Sequence, residues 1–314
     1  MNKRILVIIF IILIICLSIT FFISIKNYKP NVKFLGSPIN SFYKEKTVKI
    51  QNPPKRIDEI QDPNVLAESA ILIYEPNKYI LYSKNPNNSI PIASITKVMT
   101  AMVALDLYRS DDIITVDEKA IDINGSKIFL KKDEKIRFDD LLYGMLMNSG
   151  NDAASALSMN KTSQEEFINL MNLKAEELGL KNTKFNDVAG LDDNGRSSAY
   201  DVAILFSNAF KNELFKKIIS TPEKQIFSVD KKTVHDLKNS NRLVNGEMSL
   251  GGVVGGKTGF TPEAGHTLVC SAERNNSLLV AVVLKTFSDD KSASAEEARK
   301  LLEWGFSNFT FNQT

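Results

Sequence analysis

This chain of 314 residues is poor in the residues that usually carry metal, redox or histidine-based chemistry: it has two cysteines, two histidines and one tryptophan. Cys16 lies in a long apolar run and Cys270 in a strand-like stretch, so no disulfide framework holds the fold. His235 and His266 stand far from any His-x-x-x-His or Cys-x-x-Cys spacing, which leaves a metal site without support. Each is read as a structural or surface residue, and no cofactor is implied. Excess charge of either sign is also missing. Lysine and arginine number 39 against 37 acidic residues, a net charge of +2, which argues against nucleic acid as the main partner.

One apolar run is long. It extends from Ile5 to Ile25, interrupted by Ser18, Thr20 and Ser24, with Lys3 and Arg4 before it and Lys26 after it. At about 1.5 Å per helical residue it reaches across a hydrocarbon core of about 30 Å. No small-x-small cleavage site follows, and Ile15 before Cys16 does not suit lipidation. Residues 1–26 are therefore expected to be a single-pass N-terminal membrane anchor, basic end inside, with the rest of the chain extracytoplasmic. A cleaved signal sequence, giving a secreted protein, is the alternative. Residues 27–63 carry Pro30, Pro38, Pro53, Pro54 and Pro63 among polar residues and read as an extended linker. Residues 64–310 remain as the folded domain.

Within that domain three short strings stand in order: Ser94-Ile95-Thr96-Lys97, Ser149-Gly150-Asn151 and Lys257-Thr258-Gly259. They supply a hydroxyl nucleophile, an amine to deprotonate it, polar groups to hold a substrate and a cation for a carboxylate. Ser-x-x-Lys alone is weak, because it recurs from Ser41, Ser158, Ser228 and Ser288. Context selects Ser94. It follows a polar, proline-containing segment and opens the apolar run Val98 to Leu105, which reads as a buried helix. A helix start would place the hydroxyl beside unpaired backbone N–H groups, and the i, i+3 spacing would bring Lys97 onto the same face. Simple helix capping by Ser94 is the plainer reading.

Strand-like runs at Ser69–Tyr74 and Tyr79–Ser83 flank the turn Glu75-Pro76-Asn77-Lys78, and a second pair, His266–Ala272 and Leu278–Lys285, lies near the other end. A final amphipathic helix is expected over Ala295–Phe306. Helical patterns fill the middle, at Phe138–Met147, Ala153–Met159, Gln164–Leu178 and Ala199–Asn212. The expected fold is α/β (α+β): an antiparallel sheet built from both ends of the domain, flanked by helices, with an inserted all-helical lobe and Ser94 at the junction.

The chain resembles the D-alanyl-D-alanine carboxypeptidase family, the low-molecular-mass penicillin-binding serine peptidases, from about Val65 to Phe306. The likeness rests on the three strings and on their surroundings: Tyr74-Glu75-Pro76, Leu81 to Asn85, Ser149 to Ala154, Leu178 to Phe185, Gly190 to Asp193, Ser198 to Asp201, Asn239-Ser240-Asn241 and Leu302 to Phe306. The resemblance implies a β-lactamase/transpeptidase-like fold and peptidoglycan stem peptides as substrate. It implies that Ser94 attacks the penultimate D-alanine carbonyl and forms an acyl-enzyme that β-lactams also form. Lys97 would be the base, made partly neutral by burial and by Lys257. Ser149 would pass a proton to the leaving amine, Asn151 would bond the substrate amide, and Lys257 and Thr258 would bind the terminal carboxylate. Gly259 would let the strand lie close to substrate, and the amides of Ser94 and Phe260 would hold the oxyanion. Two departures stand out: many relatives have a β-rich second domain after Phe306, and an arginine where this chain has Ser294, with Lys291 the nearest cation. A D,D-endopeptidase, a serine β-lactamase and a non-catalytic wall-binding protein are the competing readings.

Overall fold

The computed structural model describes residues 52–57, 60–288 and 290–311. The expected membrane helix, Ser41 and the linker up to residue 51 lie outside the described residues. Five strands form the central antiparallel sheet: β1 (Ala67–Tyr74), β2 (Tyr79–Lys84), β3 (Val253–Thr261), β4 (Gly265–Arg274) and β5 (Ser277–Thr286). Their order across the sheet is β3-β4-β5-β1-β2, so the first and last segments of the domain meet at the β5–β1 seam.

Both faces of the sheet are covered, which explains why β1 reads as a nearly continuous apolar run. Ile71 and Ile73 face one core, while Leu72 and Tyr74, one residue out of phase, face the other. The first core is shared with helices α1 (Lys97–Leu107), α2 (Phe138–Leu146), α3 (Asn151–Asn160), α4 (Gln164–Glu177), α5 (Ala199–Ala209) and α6 (Glu213–Ile219). The second is closed by α7 (Ala293–Asn308) through Ala298, Leu301 and Leu302. Gly305 permits that close approach: a Cβ there would come within 2.6 Å of Leu72 Cδ2.

Mixed α/β architecture with an antiparallel sheet and flanking helices is thus what the sequence pattern anticipated, but several details differ. A further hairpin outside the central sheet, Glu223–Phe227 with Val234–Lys238, lies where the charged sequence gave no strand signal. Its strands are exposed on most positions, so the apolar alternation that marks half-buried strands is weak. The folded domain also reaches back before residue 64. Lys55–Arg56 pair with Phe309–Thr310, and Trp304 Nε1 donates to Gln61 O at 3.0 Å. An extended, proline-led segment is suited to such edge pairing, which composition alone does not distinguish from a free linker.

Candidate active site

Ser94 does not open the α-helix. It lies in a short 3-10 turn, Ala93–Thr96, that runs into α1 at Lys97, and no side chain caps either element. The plain capping role is therefore not the one it has. Ala93, just before it, sits at φ +47°, in the left-handed region that costs a non-glycine residue about 1–3 kcal/mol. This strained entry sets the hydroxyl over the side chain of Lys97.

Lys97 is fully buried, and its Nζ has three neighbours: Ser94 Oγ at 2.8 Å, Asn151 Oδ1 at 2.7 Å and Ala189 O at 2.8 Å. Two of these oxygens can only accept. When the amine is neutral, its two hydrogens go to Asn151 and Ala189, and its lone pair is left for the Ser94 hydroxyl. Burial lowers the Lys97 pKa from 10.5 to about 7, while the carboxylates of Asp187 and Asp152 pull it upward. The amine is consequently neutral for a large part of the time near pH 7.

Ser149 lies opposite, also in a left-handed conformation at φ +60°. It precedes α3, whose N-cap is Gly150 without a side-chain cap, so Ser149 is not a helix cap either. Its Oγ accepts from Lys257 Nζ at 2.9 Å. Lys257 is buried, and both burial and the charge of Lys97 push its pKa down. Among the described residues neither lysine forms an ion pair with a carboxylate. The two amines thus stand behind two serine hydroxyls.

β3 brings the third string to the same place. Gly259 lies so close to the backbone around Ser94 that a Cβ there would be 2.9 Å from both Ser94 N and Ile92 O. Thr258 Oγ1 shares a hydrogen bond of 2.6 Å with Ser240 Oγ. The cavity between these elements, about 530 Å³, is lined by Ser94, Ser149, Asn151, Thr258, Gly259 and Phe260 among others. All eight residues singled out from the sequence meet here, with two differences of placement. Lys257 does not line the cavity; its ammonium is buried behind Ser149 and Thr258 and acts from the rear. Asn151 has both ends of its amide engaged, with Oδ1 on Lys97 and Nδ2 on Asn124 O at 2.6 Å, so it holds the Lys97 amine as well as facing the cavity.

Sequence reasoning missed three contributors. Arg242 and His266 line the cavity wall together with Lys291 and Ser294. Arg242 directly follows Asn239-Ser240-Asn241 and was visible only as one more cation. His266 stacks on Phe260 with ring centres 4.5 Å apart. The third is Asp187, whose carboxylate accepts from the backbone N–H groups of Ala189, Gly190, Leu191 and Asp192. It freezes the loop whose Ala189 carbonyl holds Lys97. An aspartate ahead of a glycine-containing loop is a turn signal, and that was its readable mark. His235 is structural: its ring nitrogens meet Ile128 O and Glu134 Oε1. Among the described residues no cluster of three or more His, Cys, Asp or Glu side chains is placed to hold a metal ion.

A serine hydroxyl on a buried amine, a second serine on another buried amine, and a glycine-bearing strand beside them form the arrangement that active-serine acyl transfer calls for. Residues 57–288 match the D-alanyl-D-alanine carboxypeptidase family model, peptidase family S11. The chain belongs to that family. It is 38% identical over 251 residues, 77% of its own length, to D-alanyl-D-alanine carboxypeptidase DacF of Bacillus subtilis (strain 168), and spans 63% of that relative. It is 34% identical over 258 residues to a D-alanyl-D-alanine endopeptidase of Pseudomonas aeruginosa, covering 81% of this chain and 82% of the relative. The crystal structure of the Streptomyces K15 DD-transpeptidase superposes with a TM-score of 0.74 at 29% identity, covering 79% of this chain and all of the other.

Proposed function

We propose that the protein is a serine-type D-Ala-D-Ala carboxypeptidase that removes the terminal D-alanine from peptidoglycan pentapeptide stems. One observation carries the reading: the Lys97 amine, kept partly neutral, lies 2.8 Å from the Ser94 hydroxyl in a cavity that also holds Ser149 and the β3 strand. Lys97 takes the hydroxyl proton as Ser94 Oγ bonds to the penultimate carbonyl carbon. The oxyanion is met by the backbone amides of Ser94 and Phe260. Ser149, polarised by Lys257, delivers a proton to the departing D-alanine nitrogen and is reprotonated by the Lys97 ammonium, which returns Lys97 to its neutral form. Water then attacks the acyl-enzyme with Lys97 again as base.

The substrate's terminal carboxylate is placed at the Thr258–Ser240 hydroxyl pair, with Arg242 and Lys291 on the wall and the charge of Lys257 behind. A wall rich in cations favours a free carboxylate over a continued peptide, and so favours the carboxypeptidase over the endopeptidase. No carboxylate side chain lines this cavity among the described residues. That supports slow turnover of a β-lactam adduct, hence inhibition, over β-lactamase activity. Residues 1–26 act as the membrane anchor and the stretch after them as the tether, and the peptidase domain, which takes in Lys55–Arg56 and Gln61 as well as residues 64–310, works outside the cytoplasm.

The test is mass analysis of products from a pentapeptide stem and from a cross-linked muropeptide, with fluorescent penicillin labelling alongside. Loss of one D-alanine from the pentapeptide and loss of labelling in Ser94→Ala are expected. Cleavage confined to the cross-link would make it an endopeptidase, and labelling that survives Ser94→Ala would move the nucleophile elsewhere.

A further inference from the structure

His235 and Glu134 are ionisable groups that take no part in the proposed mechanism, yet both are more than nine-tenths buried. His235 Nδ1 lies 2.8 Å from Ile128 O, and Nε2 lies 2.7 Å from Glu134 Oε1. Glu134 Oε2 in turn accepts from Lys131 N at 2.9 Å. A carbonyl only accepts, so Nδ1 carries a hydrogen and donates it to Ile128. Nε2 and the carboxyl then hold one proton between them, on the nitrogen or on the oxygen. Glu134 thereby fixes both the ring's orientation and the nitrogen that faces Ile128. Burial of such a pair brings little net stability, because desolvation offsets the attraction.

The segment that His235 grips forms one wall of the cavity, which Gly125 and Ser126 line. Its carbonyls hold Asn151: Asn124 O accepts from Asn151 Nδ2 at 2.6 Å, and Ser126 O from Asn151 N at 2.7 Å. With Nδ2 bound there, Oδ1 is turned to the Lys97 amine, 2.7 Å away. Further on, Ile128 N and Leu130 N each donate to the Asp152 carboxylate at 3.1 Å. Phe129 between them is 77% exposed and held at φ +63°. A backbone bent in this way persists only where its surroundings over-determine it. Asn151 and Asp152 restrain it from the start of α3, and His235 restrains it from the hairpin. The strand that carries His235, Val234–Lys238, runs on to Ser240, which lines the same cavity. One ring thus ties two walls of the cavity together.

We infer that His235 and Glu134 are positioning residues for the proposed reaction: through Ile128 O they fix the 124–130 segment that aims Asn151 at Lys97. The inference rests on the carboxypeptidase reading and adds two residues that act on the same site from outside the cavity.

The experiment measures the second-order rate at which fluorescent penicillin acylates the full chain, with the thermal midpoint reporting whether each variant folds. His235→Leu and Glu134→Leu remove the tie. Glu134→Gln restores it, because its amide donates to Nε2 and still accepts from Lys131 N. Folded leucine variants are expected to acylate about tenfold more slowly, the scale of loss from a small misplacement of a reacting group. Glu134→Gln should recover most of the native rate. The pH of half-maximal acylation should also move in the leucine variants, since Asn151 Oδ1 is one of the three oxygens on the Lys97 amine. Should neither leucine variant fold, Glu134→Asp, which falls a methylene short of the ring, is expected to slow acylation by about threefold. A native rate and pH midpoint in a folded leucine variant, a native rate in Glu134→Asp, or equal slowing in Glu134→Gln and Glu134→Leu would overturn the assignment and leave the activity standing. No acylation of the native chain would overturn the reading of the site, and this assignment with it.

Discussion

Replacing Lys97 by methionine should change how stability depends on pH. The lysine is fully buried, and burial lowers its pKa from 10.5 to about 7 against the opposing pull of Asp187 and Asp152. An unfolded chain keeps this proton up to the ordinary lysine value, whereas the folded chain gives it up near 7. Between those limits the unfolded state binds more protons, so stability rises with pH and falls as pH drops toward 7. The slope approaches about 1.4 kcal/mol per pH unit, and from pH 7 to pH 9 it amounts to about 2 kcal/mol. Lys257, lowered by burial and by the charge of Lys97, adds in the same direction. In Lys97→Met the first contribution disappears, and the second shrinks because Lys257 loses its cationic neighbour. Urea unfolding of native and variant chains at pH 7, 8 and 9 reads the effect, because groups titrating elsewhere cancel in the comparison. The native chain should gain about 2 kcal/mol more than the variant over that range. Equal gains in both would show that the Lys97 amine holds its proton like an exposed lysine, and the proposed base would be lost with it.

Two further outcomes follow from the same geometry. The second-order rate of acylation by fluorescent penicillin should rise with pH through about 7, as Lys97 gives up its proton; a rate unchanged from pH 6 to pH 8 would exclude this amine as the base. Gly259→Ala should cut acylation by about 100-fold or more, because the added methyl, 2.9 Å from Ser94 N, must push β3 off the oxyanion donors. The thermal midpoint reports whether the fold survives the change, and full acylation in a folded variant would refute the assigned closeness of strand and nucleophile.

What could be read in advance was set by local pattern. The continuous apolar run of β1, its turn at Glu75–Asn77 and the apolar stripes of α2, α4 and α5 are recorded in residues close together in sequence. The hairpin from Glu223 to Lys238 was not legible, because its buried positions include His235 while the apolar Phe227 and Val234 are exposed, so apolarity does not follow the alternation of burial. The three strings were legible as chemistry, but their environments were not. No spacing rule reports that Lys257 lies behind Ser149, or that Asn151 holds Lys97 through Oδ1 while Nδ2 is tied to Asn124. The error over Ser94 has a similar origin. An apolar run marks where a helix is buried, not whether its first turn is α or 3-10, and the left-handed Ala93 that sets the turn has no sequence mark at all.

The site runs against the stability of the fold, and the opposition explains its construction. Two lysines are buried without carboxylate partners among the described residues, and Ala93 and Ser149 are held at positive φ. Such features persist only where surrounding structure over-determines them. The sheet supplies that rigidity, with apolar cores on both faces and Gly259 letting β3 press against the backbone of Ser94. Asp187 supplies the rest. Its four backbone acceptances fix the loop that presents Ala189 O to Lys97, and its charge raises the amine's pKa against the effect of burial. Burial alone would leave Lys97 neutral but weakly basic, and a close ion pair would leave it protonated. A carboxylate held nearby through backbone N–H groups, without touching the amine, keeps the Lys97 pKa near 7, the range that the proposed role as base requires.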